Sequence, residues 1–247
     1  MVSDKFKQLN FKRFLRIGIL KTIFLNFKTL PFKQAIIFPI IVSRHVSLYS
    51  LKGKINLKTA PKTGMITIGF SGDDTIFAGN KLFLKLDGEI IFRGKVNIGV
   101  GCILRVDKNA ILDIGDNLTT GHTVKIICSN YIKIGNTVRI AWESQVIDSN
   151  FHYIRNIENG IINDRVGKII IGDFVWIGNR STIQKGTIIR NNTIITSNSV
   201  CNSDFSNDAE FSLFGGIPAK FIKSGFQRIF DIKEEIEISK KINNSRV

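Results

Sequence analysis

From Ile171 onward the chain falls into consecutive sixes: Ile171-Gly-Asp-Phe-Val-Trp, Ile177-Gly-Asn-Arg-Ser-Thr, Ile183-Gln-Lys-Gly-Thr-Ile, Ile189-Arg-Asn-Asn-Thr-Ile and Ile195-Thr-Ser-Asn-Ser-Val. Isoleucine opens all five, and the fifth place is small or β-branched each time: Val175, Ser181, Thr187, Thr193, Ser199. Places three and four carry the Asp, Asn, Gly and Lys that favour turns. A period of six is not helical, and an Ile-rich antiparallel sandwich would instead show period two. It describes short flat strands joined by tight corners, three to a coil. One aliphatic side chain per strand points into a narrow triangular interior, and a small one sits near each corner. The same signature opens at Ile98-Gly-Val-Gly-Cys, Ile114-Gly-Asp-Asn-Leu and Ile134-Gly-Asn-Thr-Val. Successive separations of 16, 20 and then 37 residues to Ile171 read as one and two turns of a roughly 18-residue coil, with loops taking up the remainder. The largest slack lies between Phe151 and Lys168.

The flanks read differently. Phe6, Leu9, Phe14, Ile17, Leu20, Phe24 and Phe27 recur at roughly helical spacing with Lys and Arg between them, and Pro31 and Pro39 break the run. Residues 41–95 alternate in pieces such as Lys54-Ile-Asn-Leu-Lys and Met65-Ile-Thr-Ile, as irregular early coils would. Phe226 to Asn243, with Ile229, Ile232, Ile236 and Ile238, predicts an amphipathic C-terminal helix. The expected division is a basic, Phe-rich helical segment over 1–45, a coil over 46–222 with a loop at about 150–168, and a helix over 223–247. Each helix is expected to cover an open coil end.

Composition excludes disorder for most of the chain, with 43% apolar and 22% charged residues. The formal charge is +15, and residues 1–60 hold twelve basic residues against the single acid Asp4. Nucleic acid, anionic lipid or a phosphate-rich ligand would each suit that balance. No nucleic-acid reader motif accompanies the charge, so no nucleic-acid partner is expected. Cys102, Cys128 and Cys201 are far apart and odd in number, which suggests neither a disulfide framework nor a thiolate zinc site and fits a reducing cytoplasm. The longest clean apolar stretch, Gln34 to Ser43, is far short of the ~20 residues of a membrane span, and no signal peptide or transmembrane helix is read.

Lys168-Ile-Ile-Ile-Gly-Asp-Phe-Val-Trp-Ile-Gly-Asn179, the hexads after it and Phe214-Gly-Gly-Ile-Pro-Ala-Lys220 resemble the hexapeptide-repeat acyltransferases. The sugar O-acetyltransferases are the nearest group, including those that act on galactosides and maltose and those encoded with capsule or O-antigen genes. The similarity is firm over roughly 96–222. It implies a left-handed parallel β-helix, a homotrimer, and acetyl-CoA bound as donor in the cleft between subunits.

Of three histidines, His152 opens the long excursion, where the resembled family carries its catalytic histidine. Neutral imidazole suits removal of a proton from a sugar hydroxyl as that oxygen attacks a thioester. Asp148, four residues earlier, is a candidate to orient the ring, as is a backbone carbonyl. His122, in Thr119-Thr-Gly-His-Thr, is read as an exposed corner residue or a groove lining, and His45 as structural. Three histidines so spaced do not make the zinc site of a coil carbonic anhydrase, and no metal is required. For the donor, the resemblance implicates Trp176, Gly178 and Asn179 along the pantetheine arm, the Asn179 amide polarising the thioester carbonyl. Ser197 occupies the matching place one coil later. Gly216, Pro218 and Lys220 match an element near the nucleotide, where an ammonium meets phosphate. Gly and Asn also simply make corners, and a Trp also packs at subunit seams. Where the family commonly reads Thr-Lys-Asp, this chain has Asn202-Ser203-Asp204, so Lys185 or Arg190 is a substitute for the missing cation.

The sequence therefore reads as an acetyl-CoA-dependent enzyme acetylating a hydroxyl of a surface polysaccharide or its precursor, cytoplasmic, with a carbohydrate acceptor. The alternatives are N-acetylation of an amino sugar and a non-catalytic binding solenoid. Phe6, Phe14, Phe24 and Phe27 with their interleaved cations are candidates for peripheral contact with an anionic membrane, against packing on the first coil or a neighbouring subunit.

Overall fold

The five isoleucines that open the hexads are each no more than 1% exposed, and so are the five small residues at the fifth place. A computed structural model describes residues 15–71 and 80–244 of the chain. Phe6, Leu9 and Phe14 lie outside the described residues. The strands form three parallel sheets, the faces of a triangular prism. The first face runs from Ile40–Val42 through Leu118–Thr120, Arg139–Ile140, Trp176–Ile177 and Ile194–Ile195 to Leu213–Gly215, ending in the antiparallel Lys220–Lys223. The second contains Lys125–Cys128, Gln145–Ile147, Thr182–Gln184 and Val200–Cys201, and the third Ile111–Ile114, Tyr131–Ile134, Lys168–Ile171 and Ile188–Ile189. This is a left-handed parallel β-helix.

Local chemistry explains the repeat. The fourth place of each hexad is left-handed (Phe174 φ 54°, Arg180 58°, Gly186 83°, Asn192 56°, Asn198 57°), a conformation Asn and Gly adopt most easily. The third place builds a ladder between coils: the backbone N–H of Asp116 donates to Asn136 Oδ1 (2.8 Å), that of Asn136 to Asp173 Oδ1 (2.6 Å), and that of Asp173 to Asn191 Oδ1 (2.8 Å). Glycine precedes these rungs because the coils close on one another there: a Cβ on Gly135 would lie 2.5 Å from the Gly172 carbonyl. Buried hydroxyls complete the corners, Ser181 Oγ donating to Thr196 O and Thr187 Oγ1 to Cys201 O, each at 2.9 Å.

Three expectations change. Ile134 pairs directly with Ile171 and Ile114 with Ile134, so both 20 and 37 residues span a single coil, and the 16 residues from Ile98 to Ile114 only carry the chain from the first face to the third. The 37 is long because an excursion leaves the second face after Ile147 and returns at Lys168 as a hairpin, Ile154–Arg155 against Ile162–Asn163. The coil starts at Ile40 rather than 46, since the apolar run after Pro39 already pairs with Ile66–Ile68.

At the C-terminus the helix spans only Ile232–Asn244. Asp231 starts it, its carboxylate accepting the Lys233 N–H (2.8 Å) and its carbonyl the Glu235 N–H (3.0 Å), so Phe226 and Ile229 precede the helix. It does not cover the coil end: Ile232, Ile236 and Ile242 are exposed. The end is instead closed by aromatic rings, Phe214 lying against Phe205 (4.8 Å) and Phe221 (5.9 Å). At the N-terminal end the helices Ile19–Thr29 and Phe32–Ala35 lie against the coil, and this segment contributes Leu25, Leu30 and Ala35 to the core.

Candidate active site

The corner between the first and second faces stacks Trp142, Asn179 and Ser197 on successive coils, with backbone bonds from Arg180 N–H to Trp142 O (3.1 Å) and from Asn198 N–H to Asn179 O (2.9 Å). The Ser197 hydroxyl donates to Asn179 Oδ1. That bond engages the oxygen of the amide and leaves its Nδ2–H₂ as the donor available to a ligand. Gly216 tops the same corner at φ 102°, its N–H bonded to Ser199 Oγ (3.2 Å) and its carbonyl accepting from Val200 N–H (3.0 Å). Pro218 and exposed Lys220 follow, Lys220 pairing opposite Gly215. Gly178, Asn179, Ser197 and Gly216 thus stack on one corner of the last coils, with Pro218 and Lys220 next to it, while Trp176 stands on the first-face strand that leads into that corner. Gly178 has a structural reason of its own, since a Cβ there would lie 2.5 Å from the Ser197 backbone nitrogen.

His152 stands elsewhere. It projects from the excursion at the corner between the second and third faces, exposed, just after Phe151, whose left-handed backbone (φ 62°) and ring under Arg105 (5.6 Å) fix the start of the hairpin. It is the one exposed histidine: His45 is half-buried and takes a bond from Arg44 Nε (3.2 Å), and His122 is only 4% exposed, so it is neither a solvated corner nor an open groove lining. Asp148 does not pair with His152. Its carboxylate is fully buried and accepts the backbone N–H groups of Ser129 (2.7 Å) and Asn130 (2.8 Å), while its carbonyl accepts Gly167 N–H (2.9 Å) at the root of the excursion. Burial raises its pKa, against the pull of those N–H bonds. Lys185 also braces the excursion, donating to Asp164 O. Arg190 is held by Asp208 O (3.0 Å) and Glu210 (3.5 Å).

Between the two corners lies the width of the second face, about 10 Å for a three-residue strand. Within one chain, His152 and the Asn179–Ser197 edge are therefore set on different corners of the prism.

A cavity of about 610 Å³ opens where the chain at 227–235 passes back along the first face. Both tryptophans of the chain line it, with Arg139, Arg228 and Glu235. The Arg228 guanidinium lies over Trp176 (5.3 Å) and the Phe230 ring (5.5 Å). Arg139 donates to Asn117 O (2.5 Å); burial, then the nearby charge of Arg228, lowers its pKa. Two cations against one carboxylate favour an anionic group. Sequence reasoning missed Arg139, Trp142 and Arg228. The signal available was that both tryptophans stand close to arginines in the outward places of first-face strands and corners.

The chain matches no protein-family model. It is 28% identical over 149 residues to the Escherichia coli protein assigned as the lipopolysaccharide biosynthesis O-acetyl transferase WbbJ, covering 57% of this chain and 74% of that one. It is 26% identical over 152 residues to the polysialic acid O-acetyltransferase of Neisseria meningitidis, covering 56% and 70%. Its relatives are O-acetyltransferases. Among solved structures, the polySia-specific acetyltransferase NeuO superposes with a TM-score of 0.50 at 22% identity, over 76% of this chain and 84% of that chain, a likeness of fold. Among the described residues, no three His, Cys, Asp or Glu side chains gather as metal ligands.

Proposed function

We propose that the chain transfers an acetyl group from acetyl-CoA to a hydroxyl of a surface polysaccharide or its precursor, directly and with His152 as general base. The observation that carries this reading is the stacking of Asn179, Ser197 and Gly216 on one corner of the coil beside Lys220, with an exposed histidine on the neighbouring corner. The acceptor oxygen attacks the thioester carbonyl carbon while His152 takes its proton. Asn179 Nδ2–H₂ donates to the oxyanion that forms, and collapse expels the coenzyme A thiolate, which recovers the proton from the imidazolium. The donor lies along the Asn179–Ser197 edge with Trp176 as a wall and Lys220 toward its phosphates. A cysteinyl acyl-enzyme is disfavoured: burial pushes the Cys102 thiol up to about 11 and Cys201 up to about 12, and burial also raises Cys128, so none is poised as a thiolate at neutral pH. Three free, buried thiols also suit the cytoplasm.

Because the two halves of the site stand on different corners, the reading requires a second copy, whose donor edge meets this chain's His152. A cyclic trimer closes that contact identically at each seam. The test is incubation of the protein with acetyl-CoA and a panel of cell-surface oligosaccharides. The reading expects acceptor-dependent release of free coenzyme A thiol and a product whose acetyl group is lost in mild alkali. An alkali-stable product would assign N-acetylation, and no release with any acceptor would favour a binding solenoid.

A further inference from the structure

The helix Ile19–Thr29 is turned against its usual polarity. Its buried positions are Thr22, Leu25, Asn26 and Thr29, three of them polar. Thr22 and Asn26 face inward because they finish a sheet edge, Thr29 instead donating to Leu25 O of its own helix (2.7 Å): Ile40–Val42 is the outermost strand of the first face, and its unpaired groups need partners. Asn26 Oδ1 accepts the Ile40 N–H (3.2 Å), Asn26 Nδ2 donates to Ile40 O (2.7 Å), and Thr22 Oγ1 accepts the Val42 N–H (3.2 Å). The cost of that arrangement is an outward face made of Ile19, Leu20, Ile23, Phe24 and Phe27, continued by Phe32 and Ile36, all exposed, with Leu20 at 82%. Among the described residues the Phe27 ring meets the rings of Phe32 (5.8 Å) and Phe38 (6.1 Å). Single exposed apolar residues are ordinary; seven on one contiguous face are not.

We propose that this face docks on the surface of an anionic lipid bilayer. Charge decides the occupant. Exposed Lys28 and Lys33 interrupt the apolar face, and residues 1–60 carry twelve cations against Asp4 alone. A second copy applying the same face would set Lys28 and Lys33 against their own equivalents with no carboxylate to meet them, whereas lipid phosphates complement them. At 11 residues, about 16 Å long, the helix cannot cross a ~30 Å hydrocarbon core and lies along the interface. Among the described residues no helix is long and apolar enough to cross a membrane. In a cyclic trimer the three copies of this face point the same way along the axis, which adds avidity on a plane; that clause rests on the trimer proposed above, and the docking face itself does not.

The test uses the full chain and co-sedimentation with phosphatidylcholine vesicles, with and without phosphatidylglycerol. The expected result is binding that requires phosphatidylglycerol, weakens with salt, and falls ~tenfold or more in Leu20→Glu/Phe24→Glu at an unchanged unfolding midpoint, both side chains being exposed. Lys28→Glu/Lys33→Glu should weaken binding at low salt and flatten its salt dependence. The proposal is overturned if the full chain ignores anionic vesicles at low salt, or if Leu20→Glu/Phe24→Glu binds as well as the parent. It is also overturned if that variant changes the sedimentation coefficient of the lipid-free protein, which would make the face a contact between copies. Vesicle binding is read without turnover, so its failure leaves the acetyl-transfer reading standing, and the converse holds.

Discussion

The hydroxyl of Ser197 donates to Oδ1 of Asn179, one coil away on the same corner. The bond fixes which end of the Asn179 amide faces a ligand. Asn179→Ala is therefore expected to lower kcat by ~10²–10³, the usual loss for an oxyanion donor. Ser197→Ala, which frees the amide to rotate, should cost about tenfold in kcat with a smaller change in KM for acetyl-CoA. Steady-state kinetics on both variants checks this, and equal losses in the two would mean that Ser197 itself contacts the donor.

His152 and Asp148 are expected to separate cleanly. His152→Ala should reduce turnover by ~10²–10⁴ while leaving the unfolding midpoint and acetyl-CoA binding in place. Asp148→Asn removes a carboxylate that holds two backbone N–H groups and should destabilise by about 1–3 kcal/mol, while the pH dependence of kcat keeps its shape. Thermal unfolding beside a pH–rate profile distinguishes the two; a displaced pH profile in Asp148→Asn would restore Asp148 as the partner of His152.

Acid should find a specific weak point at Asp107. Burial alone would raise its pKa, but bonds from Arg105 (2.8 Å), Ser129 (2.9 Å) and Lys85 (3.1 Å) outweigh it and hold the carboxyl down at about 2, against 3.8. A lowered carboxylate contributes stability that is complete above its unfolded pKa and is lost as pH falls through the folded value. The unfolding midpoint of the parent should therefore drop between about pH 4 and 2, and Asp107→Asn, already less stable at pH 7, should drop less over that window. Parallel curves for the two proteins would exclude the contribution.

Stacking has its own test. Gly178→Ala places a methyl group against the backbone of the next coil and should lower the unfolding midpoint whether or not acetyl-CoA is present. Loss of donor affinity at unchanged stability would show instead that Gly178 serves the ligand alone.

Much of the coil was legible because a hexad is enforced locally. Each Ile, each left-handed fourth residue and each small fifth residue answers to a contact within one coil of itself, so the pattern survives on the page from Ile171 to Val200. What failed was counting across the excursion. Ile134 and Ile171 are vertical neighbours although 37 residues separate them, and nothing in the hairpin's composition states that its two ends return to the same coil. The corner that stacks Asn179 on Ser197 was legible because both fall in the third place of successive hexads of the first face. Arg139 and Arg228 were not, because they meet only when the chain beyond the coil folds back along the first face, a long-range placement with no periodic signature. Asp148 shows the opposite limit: closeness in sequence makes it a candidate to orient His152 beside a backbone carbonyl, but its carboxylate turns inward to the Ser129 and Asn130 N–H groups. The inverted helix was hidden as well. Its polar stripe at Thr22, Asn26 and Thr29 reads as a solvent face until the unpaired edge of Ile40–Val42 is seen behind it.

In the proposed mechanism acetyl transfer occurs where His152 of one copy meets Asn179 of another. Co-expressing His152→Ala and Asn179→Ala chains and assaying the mixed oligomers with an acceptor identified from the oligosaccharide panel tests it directly. Each variant alone should be nearly inactive. Random assembly should restore roughly a quarter of parental activity, since one seam pairing in four then joins an intact His152 to an intact Asn179. Mixed oligomers no more active than either variant alone would place both groups in a site formed within a single chain, and contradict the account.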